Sequence, residues 1–204
     1  MTWKSALAWA MGLAQVVAGA CHGYLAKPAA RNVQHLSDYC PQCLNGPGMC
    51  GDLPGQPRHE AFGKYASPPD VAETYEAGGM LRARVVITAN HRGRWGLKLC
   101  ALPDTSPRTE RAAMPGCLKR LKRTGGKGSY VYLWPSASVS TAAFRLPRGV
   151  TCERCVLQWL WETGNSCTPP GTPAKYANGA LQTCGSASAP PGETFTNCAD
   201  IRIV

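Results

Sequence analysis

Ten cysteines are spread from Cys40 to Cys198, at positions 40, 43, 50, 100, 117, 152, 155, 167, 184 and 198, and an eleventh is Cys21. This pattern constrains the chain more than any other feature, because cross-links between distant segments fix which parts of a fold must meet. Lys4 and an apolar run over residues 6–20, broken only by Gln15, precede Cys21, and the run ends in the small residues AGAC. That layout is a secretory signal peptide. The run is short for a bilayer span, which needs about 20 apolar residues. Cleavage after Ala20 or after Cys21 fits the small-residue rule. Cutting after Cys21 leaves an even ten cysteines, as an oxidising compartment favours. We therefore expect a signal peptide over residues 1–21 and a secreted, extracellular single domain over residues 22–204 that begins at His22. Up to five disulfides can form, with pairing undetermined. Cys40-x-x-Cys43 and Cys152-x-x-Cys155 also have zinc-ligand spacing, but the leader favours disulfides.

The chain carries 22 glycines and 17 prolines, which cut it into short elements. Apolar or alternating runs at residues 81–88, 95–100, 129–134, 140–146, 155–161 and 199–204 read as strands. The first two flank an HRGR turn and are expected to form a hairpin. Residues 39–66 and 168–192 read as long loops rich in glycine and proline, with cysteines to tie them. The spacing predicts an all-β fold, an immunoglobulin- or fibronectin-III-like β-sandwich with long disulfide-tied loops. Net charge is +10, and part of the excess lies in LKRLKRTGGKG, residues 118–128. No aromatic interleaving or nucleic-acid module accompanies that run, so it reads as a solvated loop. An anionic cell-wall polymer is a partner that charge alone permits. No nucleic-acid or membrane partner is expected, and the chain is expected to be a monomer.

Four histidines are present: His22, His35, His59 and His91. A terminal His22 would offer two nitrogens, its amine and its ring. His91, in the turn TANHRGRW, could add a third. Three nitrogens in a T-shaped plane suit Cu(II), which heads the divalent affinity order. The amine must shed its proton to bind, so affinity falls in acid. Spacing alone favours a surface or hydrogen-bonded role for His91 over a ligand role.

HGYLAKPAARN (residues 22–32), CGDLPGQPRHEAFGKYA (50–66), TANHRGRWGLKLC (88–100), and CERCVLQWLWETGNSC with ETFTNCADIRI (152–167, 193–203) together resemble lytic polysaccharide monooxygenases. Auxiliary activity family fifteen is the nearest group, and the chitin-binding type-4 and fusolin-like proteins are more distant. The resemblance spans residues 22–204. It implies one copper ion held by His22, through amine and ring, and by His91. Ala89 matches the small residue beside the open axial face. Phe195 matches the aromatic on the opposite axial side, where it blocks rather than ligates. Glu60, Gln158, Glu162 and Glu193 are candidates for a polar group near the metal, and Glu193 ranks first because it lies two residues from Phe195. Trp159 and Trp161 read as core, and His35 and His59 as structural or surface.

The resemblance further implies oxidation at C1 or C4 of a sugar in chitin or cellulose. The reaction takes electrons from an external small-molecule or protein reductant, with O2 or H2O2 as co-substrate. Two other classes keep the same fold: a non-catalytic binder of chitin or another cell-wall polysaccharide, and a copper carrier. Neither spacing nor composition separates these three.

Overall fold

The computed structural model describes residues 23–34, 48–52, 55–63 and 70–204. Two sheets pack face to face, as the strand spacing predicts. One has the order β1 (Gly23–Lys27), β3 (Met80–Ile87), β8 (Val139–Arg145), β6 (Lys122–Arg123). The other has β2 (Val71–Tyr75), β10 (Thr194–Ile203), β9 (Cys152–Glu162), β4 (Arg94–Ala101), β5 (Lys119–Arg120), with β7 (Val131–Tyr132) also paired to β4. All pairings are antiparallel except β2 with β10.

Side-chain alternation decides which face is core. In β3, Leu81, Ala83, Val85 and Ile87 are buried, while Met80, Arg82 and Arg84 face solvent. Facing them, Trp95, Leu97, Leu157, Trp159, Trp161 and Ile201 complete one apolar core. The Trp95 ring lies 5.6 Å from Phe144, and its Nε1–H donates to Ser140 Oγ (2.9 Å), so one side chain joins the two layers. Strand β9 is buried along most of its length, because its outer face is covered too. There Val156 joins Cys50, Cys100, Met114 and Cys198 in a second small core under helix α2 (Pro107–Cys117).

Two expectations are corrected. The strands at 81–88 and 95–100 are not a hairpin: β3 pairs with β1 and β8, and β4 with β9 in the other sheet. The segment between them crosses the sandwich. Arg92 and Gly93 take left-handed φ values of 54° and 79° there, and a Cβ on Gly93 would stand 2.1 Å from the Glu162 carbonyl oxygen. The basic run is also not a plain loop, since it supplies β5 to one sheet and β6 to the other. Helix α2 is a feature that periodicity does not announce. Pro107 pre-sets its first turn, and Ser106 Oγ accepts the Thr109 N–H (3.1 Å).

Four disulfides are present among the described residues: Cys50–Cys198, Cys100–Cys117, Cys152–Cys155 and Cys167–Cys184. The second CxxC pair is therefore a cross-link rather than half of a zinc site. Cys40 and Cys43 lie outside the described residues. At the far end of the β9–β10 pair, four charges are buried together. Arg31, in the short helix α1 (Arg31–Gln34), bonds Asp200 (2.6 and 2.8 Å) and Glu110 (2.8 Å twice), and Arg154 bonds both carboxylates. The Arg31 guanidinium is held well above its ordinary pKa; burial opposes the charge, but the bonds to Asp200 and Glu110 outweigh it. No helix among the described residues is long and apolar enough to cross a membrane.

Candidate metal centre

His91 lies in the crossover from β3 to β4, and the backbone on both sides of it is pinned. Its carbonyl accepts the Gly164 N–H (2.8 Å). Asn90 Oδ1 accepts the Arg92 N–H (2.7 Å), and Asn90 Nδ2 donates to the carbonyls of Ala137 (2.6 Å) and Trp134 (3.0 Å). The Trp161 indole N–H donates to the Arg92 carbonyl (2.8 Å). A histidine held this way presents its ring at a fixed angle while staying half-buried.

Two polar side chains meet the ring at one nitrogen. Glu193 Oε2 is 2.9 Å from Nδ1, Asn165 Nδ2 is 2.8 Å from it, and Asn165 Nδ2 is 3.2 Å from the same Glu193 oxygen. Thr163 Oγ1 donates to Asn165 Oδ1 (2.7 Å), which fixes the amide so that its NH2 faces the pair. A neutral imidazole carries one proton. With the proton on Nδ1 the ring donates to Glu193, and Nε2 keeps its lone pair. With the proton on Nε2, Nδ1 accepts from Asn165. A metal at Nε2 would select the first arrangement, in which a carboxylate fixes the tautomer and the orientation of the ring.

The N-terminal strand approaches the same place. Gly23 is buried and paired with Ile87. A Cβ on it would stand 2.8 Å from the Val86 carbonyl and 3.4 Å from the Trp161 ring, so only glycine lets the strand lie this close. The Trp161 ring is 6.2 Å from His91 and 5.3 Å from Phe195. Phe195 sits directly opposite Trp161 in the β9–β10 register. Leu25 N–H donates to Asn197 Oδ1 (3.0 Å) in a buried bond, tying β1 to β10.

The structure thus brings His91, Glu193 and Phe195 around Trp161, with Ala89 half-buried two residues before His91. Of the other polar candidates, Glu60 and Gln158 stand elsewhere, and Glu162 lies close by but is engaged with Arg94. Glu60 accepts the Met49 N–H (2.7 Å) and Gln158 donates to the Met49 carbonyl (2.7 Å), so both hold the loop at Cys50. Trp159 and Trp161 are fully buried, as expected for core. His59 is buried against Asp52 (2.8 Å). His22 and His35 lie outside the described residues. Among the described residues no three His, Cys, Asp or Glu side chains form a metal-sized group, so a site at His91 needs a ligand from beyond them.

A family model described as "Lytic polysaccharide mono-oxygenase, cellulose-degrading" matches residues 45–201. The chain belongs to this family. A solved lytic polysaccharide monooxygenase of the AA15 group, from Thermobia domestica in the Cu(I) state, shares 27% identity with a TM-score of 0.66, covering 89% of this chain and 98% of that one. A chitin-binding domain from Burkholderia pseudomallei shares the fold at 16% identity and a TM-score of 0.50, covering 90% of this chain and 99% of that one. None of the curated proteins matches.

For a lytic polysaccharide mono-oxygenase, one group beside His91 escaped the sequence reading. Trp134 is half-exposed. Its ring lies 4.6 Å from that of Tyr176, which stacks at 5.4 Å on Tyr132. Lys175 Nζ hangs 5.8 Å from the Trp134 ring. Asn90 joins this aromatic group to the His91 turn through the Trp134 carbonyl. The signal was in YVYLWP: alternation puts Tyr132 and Trp134 outward, and Pro135 ends the strand there.

Proposed function

We propose that the chain is a secreted, copper-dependent lytic polysaccharide monooxygenase acting on chitin or cellulose as a monomer. Loss of residues 1–21 exposes His22, whose amine and ring join the His91 ring around one copper ion. The reading rests on one observation: Gly23, one peptide from His22, packs against the tryptophan that His91 also faces. Consecutive Cα atoms are about 3.8 Å apart, so His22 is within reach of His91. The donor chemistry suits copper, since imidazole and amine nitrogens are its favoured ligands. Copper, when bound, supplies one-electron chemistry that draws on an external reductant and on O2 or H2O2 to oxidise a sugar C–H bond.

The chain's own residues then have separate tasks. His91 would offer Nε2 to the metal while its Nδ1–H donates to the Glu193 carboxylate. Asn165 donates to the Glu193 carboxylate and keeps it in place. Phe195, packed on Trp161, would present the metal with an apolar ring that has no donor atom, and the small side chain of Ala89 would leave room beside the metal for the co-substrate. Trp134 and Tyr176 extend the surface with aromatic faces on which sugar rings of an insoluble polymer can lie.

The test is to incubate copper-loaded protein beginning at His22 with ascorbate and powdered chitin or cellulose. Aldonic-acid or C4-oxidised oligosaccharides in the supernatant are the expected result. A protein that binds the polymer, or carries copper, yet releases none of these on any polymer would overturn the enzyme reading in favour of a binder or carrier. His22→Ala is expected to lose both copper and activity.

A further inference from the structure

The outer face of the four-stranded sheet carries a set of cations that the proposed metal centre does not use. Arg82 and Arg84 project outward from β3, Arg145 from β8, Lys122 from β6 and Lys27 from β1, and all five are exposed. Register puts them on one surface. Lys27 is opposite Arg84, and Lys122 is opposite Arg145. Ala143 is opposite Arg82, and Thr141 is opposite Arg84. The small residues make a floor and the long cations make walls. The result is a trough of about 500 Å³ lined by Lys27, Arg82, Arg84, Thr141, Ala142 and Ala143.

Like charges on adjacent strands repel and destabilise a sheet, so an uncompensated row calls for an explanation. The recorded ion pair among these five, within the described residues, is Lys27 with Glu73 (3.5 Å). Four of the chain's other carboxylates are engaged away from this face. Glu110 and Asp200 are in the buried cluster, Glu162 is with Arg94, and Glu153 is with Arg202. The cations span four strands, about 14 Å at the usual strand spacing. One small anion cannot reach across that width, but an extended polymer with repeated negative groups can.

We propose that this sheet face binds a polyanionic glycan, a polysaccharide bearing sulfate or carboxylate groups along its length. The guanidiniums of Arg82 and Arg84 are the central contacts, because their planar forks match the two oxygens of such groups. The trough positions named above carry no aromatic ring to stack on a base, which favours a glycan over a nucleic acid. The proposal stands apart from the metal centre and needs no copper.

The experiment uses metal-free protein and measures binding to dextran sulfate, with neutral dextran of equal size and double-stranded DNA alongside. We expect binding to dextran sulfate, none to dextran, and an affinity that falls linearly in log–log plots against salt. Arg82→Thr with Arg84→Thr keeps strand-compatible side chains. It is expected to weaken binding about tenfold and to lower the salt slope by about two, one for each cation removed. The control, Arg108→Gln with Arg111→Gln, removes two exposed cations from α2 on the opposite sheet. It should stay within about twofold of the parent. Equal losses in both double variants would show that net charge alone binds, and overturn the proposal. Retained affinity in the Arg82/Arg84 variant, or DNA binding as tight as dextran sulfate at equal charge, would overturn it as well. Both variants should melt within about 3 °C of the parent, as exposed substitutions do. Adsorption to uncharged chitin powder should be unchanged.

Discussion

Strands β9 and β10 carry opposite kinds of polar chemistry at their two ends. At one end Arg31, Glu110, Arg154 and Asp200 form a neutral set of two guanidiniums and two carboxylates, each side chain at most 2% exposed. At the other, Glu193 and His91 meet with side chains 41% and 24% exposed, and exposed Asn165 closes the group. Five residues of strand, roughly 17 Å, separate Phe195 from Asp200. The closed end tethers α1, α2 and both strands, and through α1 it holds β1. The proposed site at the open end would need that tether, because a site built on His22 would be only as fixed as the strand that follows it. One pair of strands can therefore serve stability and reactivity together when the charges meant for each are kept at opposite ends.

The largest effect should come from breaking the closed end. Glu110→Ala leaves two buried guanidiniums sharing one carboxylate, and removing one partner from a buried pair costs about 3–5 kcal/mol. Thermal unfolding should show a fall in Tm of at least about 6 °C, while copper affinity of the folded protein at 25 °C stays within about threefold. A large loss of copper affinity at unchanged Tm would show that the two ends are not separate in this way.

Glu193→Ala should reverse the signature. Loss of the carboxylate on a ligating histidine weakens metal binding about 10–100-fold. Calorimetric titration with copper should show this, with the melting curve of the metal-free protein unchanged. Glu193→Gln should recover part of the affinity, because its amide oxygen can still accept from Nδ1. If Glu193→Ala binds copper as the parent does, Glu193 is a surface carboxylate and the open end is less organised than its geometry implies. Trp134→Ala tests how far that end extends. Loss of one stacking face should weaken adsorption to chitin or cellulose about fivefold, by analogy with aromatic stacking of about 1 kcal/mol, with copper binding unaffected.

The two ends were not equally legible in the sequence. Alternation in LRARVVIT gave β3 its inward and outward faces, and the run CVLQWLW, apolar except for Gln158, gave β9. Pairing was hidden, because the path between β3 and β4 turns on left-handed Arg92 and Gly93, where the sequence offers the same Gly-containing turn that a hairpin would use. His91, Ala89 and Phe195 were named through the family resemblance rather than through spacing, and Glu193 through its place beside Phe195. Asn165 carried no signal, since a polar residue in a loop reads as solvated until the fold folds it back. The closed end was illegible for a similar reason. Arg31, Glu110, Arg154 and Asp200 are far apart in the chain, and nothing local marks them as partners. Helix α2, which delivers Glu110, did have a mark in the Ser106-Pro107 start, but its Pro, Gly and sparse apolar residues obscured the period.

The smallest effect concerns the loop that stands between these ends. Asp52 accepts backbone N–H bonds from Arg58 (2.7 Å), His59 (2.8 Å) and Glu60 (3.0 Å), and its other oxygen meets His59 Nδ1 (2.8 Å). Burial pushes this carboxyl upward, but the bonds from His59 and from the backbone of His59 and Glu60 outweigh it and hold the pKa below the ordinary value. A depressed folded-state pKa means that the unfolded chain takes up the proton first. The stabilisation is thus complete above the unfolded value, near pH 4, and fades as pH drops through the lower folded value. Tm should fall as pH drops below about 4, and Asp52→Asn should remove about 2–4 °C of that fall while lowering Tm at neutral pH. The Cys50–Cys198 disulfide anchors this loop to β10 at all pH values, so the loop should loosen without detaching. If Asp52→Asn melts with the parent's full acid dependence, the pH sensitivity belongs to the carboxylates of the closed end, and the loop takes no part in it.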